Sequence, residues 1–231
     1  NGKRDIWNSP ADALASAAHY LQQSGWRSGQ SWGQEVLLPA NFDYAQADPA
    51  VKKTVAEWQA LGVTTPGGQR LADNLADQRA ALLLPAGHRG PAFLLLHNFS
   101  TIMRYNNSSS YALAIGLLSE RFQDGGRIVA DWPTDDRPLS RSERIELQTL
   151  LTEKSLEPGG IDGIIGANTR RAIRSFQQQQ GWPADGYASV ELLEAVDVVE
   201  VLEAVDVVEV VDVVEVVEVV DVVEVVVALN Q

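Results

Sequence analysis

Apolar positions along this chain fall into short periodic runs punctuated by Gly and Pro. Residues 10–25 carry Ala13, Leu14, Ala17, Ala18 and Leu21 at helical spacing. Ser9-Pro10-Ala11-Asp12 supplies the start: Ser9 as N-cap, Pro10 at the first helical position, Asp12 as the returning carboxylate. The pattern predicts a helix that stops near Gly25. Residues 32–38 are rich in apolar side chains and predict a short strand. Residues 39–49 read as loop, 51–61 as a second helix ended by Gly62, and 64–68 as a turn cluster. Two apolar runs, 80–85 and 91–96, flank Pro85-Ala86-Gly87-His88-Arg89-Gly90 and predict two strands of a small sheet. Asn98 is placed to cap a short helix through Arg104, and Ser108 or Ser109 to cap the next, over 111–122. The first unit, residues 1–132, therefore reads as helical with a small β-excursion.

Residues 133–138 are the expected linker, inside a stretch over 131–138 with two Pro and three Asp. Residues 139–193 form a second, compact unit. It has a helix over 141–153 capped by Ser140 and another over 168–180 capped by Asn168. Turns are expected at Gly159-Gly160, Asp162-Gly163, Gly166 and Asp185-Gly186. A unit this small depends on close helix packing.

From residue 194 onward the pattern changes. The nine residues from Leu193 to Val201 recur unchanged from Leu202 to Val210, and degenerate copies follow. An acid at every third position precesses around a helix and alternates faces on a strand, so period three predicts no buried regular structure. Residues 194–231 are read as a low-complexity tail, either an acidic interaction stalk or a repeat expansion without function of its own.

That tail also decides what the charge means. Of the net −13, the eleven acids between Glu194 and Glu224 supply all but −2. The remainder is nearly neutral and has no basic block, which argues against nucleic-acid and anionic-membrane partners. Cys is absent, which rules out disulfides and thiolate metal sites. No apolar run approaches the roughly 20 residues of a membrane span.

Candidate chemistry gathers in one place. Arg104, Tyr105, Asn106, Asn107 and Ser108 lie between two apolar runs, at what reads as a corner between helices. Polar side chains collected at such a corner suggest a binding cleft. Elsewhere, His19, His88 and His97 lack metal-ligand spacing, and no nucleophile elbow, phosphate loop or dinucleotide fingerprint occurs. No metal or cofactor is expected. Glu35 in Ser31-Trp32-Gly33-Gln34-Glu35-Val36 is a possible general acid if Trp32 desolvates it; the alternative is a carboxylate making structural hydrogen bonds.

Several motifs in order carry a resemblance. Ser9-Pro10-Ala11-Asp12-Ala13 is followed by Ala18-His19-Tyr20-Leu21 and Gly25-Trp26. Trp32-Gly33, Glu35-Val36, Gly90-Pro91-Ala92-Phe93, Asn98-Phe99 and Arg104-Tyr105-Asn106 come next, with Ser108. The run resembles the second half of the catalytic domain of B-family lytic murein transglycosylases. Leu147-Gln148, Leu151, Ile161-Asp162-Gly163-Ile164-Ile165-Gly166, Thr169, Ala172, Phe176-Gln177, Gly181-Trp182 and Asp185-Gly186 resemble the three-helix peptidoglycan-binding domain. The implied fold is mainly α: part of a lysozyme-like domain, a small three-helix domain, then the tail.

The resemblance implies cleavage of the β-1,4 bond between N-acetylmuramic acid and N-acetylglucosamine, without water, to a 1,6-anhydro product. One Glu would act as acid and then as base, in place of the usual pair of carboxylates. That Glu is expected upstream of residue 1, so the chain alone is expected to be inactive. Tyr20, Tyr105 and Asn106 match groove residues that hold the glycan. Each has a structural alternative: an inward-packed helix tyrosine for Tyr20, interhelix capping for Tyr105 and Asn106. Ser108 is expected as an N-cap and Arg104 as a structural residue. Some relatives carry a calcium loop before the first helix; only Asn1, Gly2 and Asp12 could remain of it, too few oxygens for tight binding. The implied partner is the peptidoglycan glycan strand and the implied location the bacterial envelope, in the periplasm. The competing class is a non-catalytic peptidoglycan-binding protein.

Overall fold

The computed structural model of the chain describes residues 5–123, 125 and 127–207. Most of the repeat tail (208–231) and the Asn1-Gly2 pair lie outside them. The described residues divide into two compact units: residues up to Asp136 with Gln177–Tyr187, and Arg137–Phe176 with the residues from Ala188 on.

The first unit opens with α1 (Pro10–Gln23), started as the sequence predicts. Ser9 is extended at the N-cap and its side chain accepts from the Asp12 amide, with Pro10 at the first helical position. Asp12 in turn accepts from the Asp5 amide.

A four-stranded antiparallel sheet follows, in the order β1 (Gly33–Val36), β4 (Ala92–Leu95), β3 (Arg79–Leu83), β2 (Lys53–Thr54). Register is fixed by Glu35 opposite Phe93 and Leu83 opposite Phe93 on the other side. Strand β4 is buried at every position, as its continuous apolar run requires of a strand covered on both faces. One core gathers Leu82, Ala92 and Leu94 around Trp58; the other gathers Phe93 and Leu95 with Trp32, Phe99, Ile102 and Leu113.

The expected second helix over 51–61 is shorter. Lys53 and Thr54 pair with β3, and α2 (Val55–Ala60) starts only after them. Thr54 closes a capping box with Glu57, which sets the boundary between strand and helix. Trp58 is fully buried, and its indole N–H donates to the Ala80 carbonyl at 2.9 Å.

Two helices return over the second face of the sheet. The first, α3 (His97–Tyr105), buries Asn98, Phe99, Thr101 and Ile102 along one stripe. The second, α4 (Ser109–Arg121), is capped by the Ser108 hydroxyl accepting from the Tyr111 amide, as expected. Asn98 is not a cap. Leu96 occupies that position, and the Asn98 amide is buried within α3. It accepts from the Arg27 amide and donates to the Arg27 and Gln30 carbonyls, so it organises the preceding loop. Gly116 on α4 is needed for contact: a Cβ there would lie 2.5 Å from the Trp32 ring.

The second unit holds α5 (Arg141–Glu153), α6 (Ala167–Gln179) up to Phe176, and α7 (Val190–Val207). Ser140 caps α5 through a complete capping box with Glu143. The α6 helix begins at Ala167, so Asn168 lies inside its first turn and Gly166 supplies the carbonyl that receives the Arg170 amide. Leu147, Leu151, Ile173, Phe176, Leu192 and Val196 are buried.

The predicted boundary at residue 194 does not end regular structure. Leu192, Leu193 and Val196 fall on one face at i, i+1, i+4, which lets α7 pack despite the three-residue period, and the helix continues to Val207.

Candidate functional site

The corner between α3 and α4 spans only Asn106 to Ser108, and three tyrosine rings meet beside it. Tyr105, the last residue of α3, is 54% exposed; Tyr20, near the end of α1, is 45% exposed. Their rings meet edge to face, centroids 5.5 Å apart and planes at 80°. On its other side Tyr105 stacks on Tyr111, centroids 6.3 Å apart and planes at 17°. Tyr111 is the member that sequence reading missed. Its signal is its position three residues after the Ser108 cap, which turns the first residues of α4 toward the corner.

Asn106 is the C-cap of α3, exposed and in extended conformation, with its carbonyl accepting from the Ser108 amide at 2.8 Å. Among the described residues its side-chain amide makes no hydrogen bond. The structure therefore brings the Tyr20 and Tyr105 rings together at the surface, with half-buried Tyr111 against Tyr105, and leaves Asn106, next in the chain, exposed.

The helices that present these side chains are tied to one another reciprocally. The Tyr20 hydroxyl donates to the Arg104 carbonyl at 2.9 Å, closing the end of α3. Arg104 Nη1 donates to the Ser24 carbonyl at 2.7 Å, closing the end of α1. His97 Nε2 lies 2.8 Å from the Gly25 carbonyl and must carry the proton there, since a carbonyl only accepts. Gly25 makes the turn at φ +93°, a region that favours glycine.

Glu35 is elsewhere and otherwise employed. Its two carboxylate oxygens accept from the Val129 and Ala130 amides, each at 2.8 Å, so it clamps a following segment to β1. This is the structural alternative, and Glu35 is not a general acid held by Trp32. The carboxyl nearer Trp32 is Glu120 on α4, whose pKa burial raises above the ordinary value.

His88 also serves structure. Both its amide and its Nδ1 lie 2.8 Å from Asp185 Oδ2, within the first unit. Burial pushes the Asp185 carboxyl up, but hydrogen bonds from His88, Tyr187 and Gln177 outweigh it and hold the pKa below the ordinary value. Among the described residues no group of three or more His, Asp or Glu is placed to hold a metal ion. No helix among them is long and apolar enough to cross a membrane.

Residues 1–120 match the family model described as the transglycosylase SLT domain. The chain belongs to that family. Residues 140–196 match a peptidoglycan binding domain model. The membrane-bound lytic murein transglycosylase B of Escherichia coli (strain K12) is 32% identical over 126 residues, covering 52% of this chain and 31% of that protein.

SltB3 from Pseudomonas aeruginosa, crystallised with NAG-anhNAM-pentapeptide, superposes with a TM-score of 0.83 at 59% identity. The match covers 85% of this chain and 52% of that one. A second structure of SltB3, with NAG-NAM-pentapeptide, matches at 60% identity with the same TM-score and coverage. The chain thus spans about half the length of SltB3 and about a third of the Escherichia coli enzyme.

Proposed function

We propose that this chain is the glycan-gripping part of a peptidoglycan lytic transglycosylase, joined to a module that holds the cell wall. The observation that carries the reading is the pair of exposed, touching rings Tyr20 and Tyr105, backed by half-buried Tyr111 and followed in the chain by exposed Asn106, in a chain of the transglycosylase family. Phenol faces and edges suit the apolar faces of sugar rings, and phenol hydroxyls with an amide suit ring hydroxyls and acetamido groups. SltB3, which matches 85% of this chain with about half of its own length, is seen with a NAG-anhNAM-pentapeptide.

In this reading the substrate is the β-1,4-linked strand of N-acetylmuramic acid and N-acetylglucosamine. The muramyl C1–O4 bond breaks and O4 receives a proton. O6 of the same muramyl residue loses its proton and bonds to C1, which gives the 1,6-anhydro end without water. Tyr20, Tyr105 and Asn106 hold the strand so that this intramolecular closure is favoured, a matter of orientation more than of added chemistry. The acid and base for both proton transfers is a glutamate supplied by a part of the protein outside these 231 residues. Glu35 does not fill that role, since its two oxygens are bound to backbone amides. The proposed domains are 1–132, 139–193 with the wall-binding role, and a tail without assigned function. The proposed location is the bacterial envelope, in the periplasm.

The test is an assay on purified sacculi. The 231-residue chain is expected to sediment with sacculi and to release no anhydro-muropeptides. The same chain extended by the remaining half found in its relatives is expected to release them. Release by the short chain would refute the assignment of the acid; failure of the extended protein to release any would favour a non-catalytic wall-binding protein.

A further inference from the structure

The Arg104 guanidinium reaches from α3 to the end of α1, the two helices that carry Tyr105 and Tyr20. Resting on the glycan-binding reading above, we propose that Arg104 is a positioning residue: it sets the spacing between Tyr20 and Tyr105 through α1, without touching the glycan.

The argument starts from the ends of two helices. The last carbonyls of a helix have no partner within it and must find one outside. At the end of α1, the Ser24 carbonyl receives Arg104 Nη1 and the Gly25 carbonyl faces His97 Nε2. At the end of α3, the Arg104 carbonyl receives the Tyr20 hydroxyl. Each helix therefore satisfies the other. Tyr20 lies one helical turn before Ser24, and Tyr105 directly follows Arg104 in the chain. Any slip between α1 and α3 must change the 5.5 Å edge-to-face contact of the two rings.

This tie is the more necessary because α1 buries none of its residues. Hydrophobic packing alone gives α1 little hold, so directional hydrogen bonds fix its position. A guanidinium donating to a carbonyl is charge-assisted and short, which suits that task. Sites of this kind lose function when the supporting contacts loosen by about 1 Å, even with every contact residue in place.

The experiment uses the full 231-residue chain and NAG-anhNAM-pentapeptide as probe, with calorimetric affinities and NMR signals of the tyrosine rings. Arg104→Met keeps the stem and removes the donors. It is expected to weaken binding about ten-fold and to move the Tyr20 and Tyr105 ring signals of the free protein. Arg104→Lys restores a charged nitrogen donor, which is what the Ser24 contact uses, and is expected to bind within about three-fold of the parent. Combined with Tyr20→Phe, Arg104→Met should cost little more than either change alone, since both open the same tie.

Normal affinity in Arg104→Met, with binding lost in Tyr105→Ala, would overturn the positioning role and leave the glycan surface standing. Normal affinity in both would overturn the glycan surface and this proposal with it. Should Arg104→Met fail to fold, Arg104→Gln, too short to reach the Ser24 carbonyl, takes its place: unchanged affinity and an unmoved Tyr105 ring signal overturn the proposal.

Discussion

Tyr20 and Tyr105, separated by 84 intervening residues, meet edge to face while both remain about half exposed. Large aromatics in a small unit usually serve burial, and the same unit shows it in Trp58, Trp32 and Phe93. The two tyrosines instead stand at the surface, Tyr20 held by its hydroxyl on the Arg104 carbonyl and Tyr105 by its stack on Tyr111. Their exposure separates binding from stability. Tyr105→Leu should shift the unfolding midpoint by only a few degrees while removing most of the affinity for a muropeptide, measured by calorimetry beside thermal melting. Equal loss of both would make Tyr105 a packing residue.

Glu35 should behave in the opposite way. Its two bonds to the Val129 and Ala130 amides make it a clamp. Glu35→Ala orphans two donors, and hydrogen bonds to a charged group are worth about 1.5–3 kcal/mol, less where solvent reaches them. Faster amide exchange at 129 and 130 and a lower melting temperature are expected. In a protein extended to the length of its relatives, the rate of anhydro-product release at a temperature where both forms are folded should be nearly unchanged.

Gly116 tests the packing of the second core. A methyl group at this position meets the Trp32 ring at 2.5 Å, and neither the ring nor the helix backbone yields easily. Gly116→Ala gains helix propensity but overpacks the contact, with an expected net loss of about 1–3 kcal/mol in chemical denaturation. A stabilised variant would show that the Trp32 contact is looser than it stands.

In the second unit, Gln148 is fully buried and bonded through both ends of its amide. Its oxygen accepts from the Asp162 and Gly163 amides, and its nitrogen donates to the Ile164 carbonyl and Thr169 Oγ1. It thus ties the Asp162–Gly166 loop to α5. Gln148→Leu matches its bulk and leaves these partners unpaired, each at about 1–3 kcal/mol. The loop should lose hydrogen-exchange protection, and sacculus binding should fall with it.

Acid should act on the second unit through Glu143. The Arg137 guanidinium, the Ser140 amide and the Ser140 hydroxyl hold its pKa down from 4.5 to about 2. A pKa lower folded than unfolded means stability that is fully present above the unfolded value and lost as pH falls from about 4.5 through about 2. Glu143→Gln should flatten that part of the pH–stability curve, and the Glu143 carboxyl signal should titrate only near the lower end.

Much of this was legible before any coordinates. The caps at Ser9, Ser108 and Ser140 were readable because capping is local: a hydroxyl reaches an amide two or three residues on. The corner at 105–108 was readable because polar side chains interrupt two apolar runs. Asn98 misled because an Asn after an apolar run has the form of a cap, while its real partners, Arg27 and Gln30, lie about 70 residues earlier. Strand β2 was missed because two residues carry no period. Glu35 was ambiguous because nearness to Trp32 in sequence says nothing about which acid the ring neighbours in space; that acid comes from α4. The three-residue repeat hid the end of α7 because packing needs only Leu192, Leu193 and Val196 on one face, not a stripe along its whole length.

The most direct test is an NMR titration of the 231-residue chain with NAG-anhNAM-pentapeptide, following every assigned signal. Saturable shifts centred on Tyr20, Tyr105, Asn106 and Tyr111 are predicted, with Glu35 and the Val129–Ala130 amides undisturbed. Shifts confined to residues 140–196, with the tyrosine surface silent at saturation, would contradict the account.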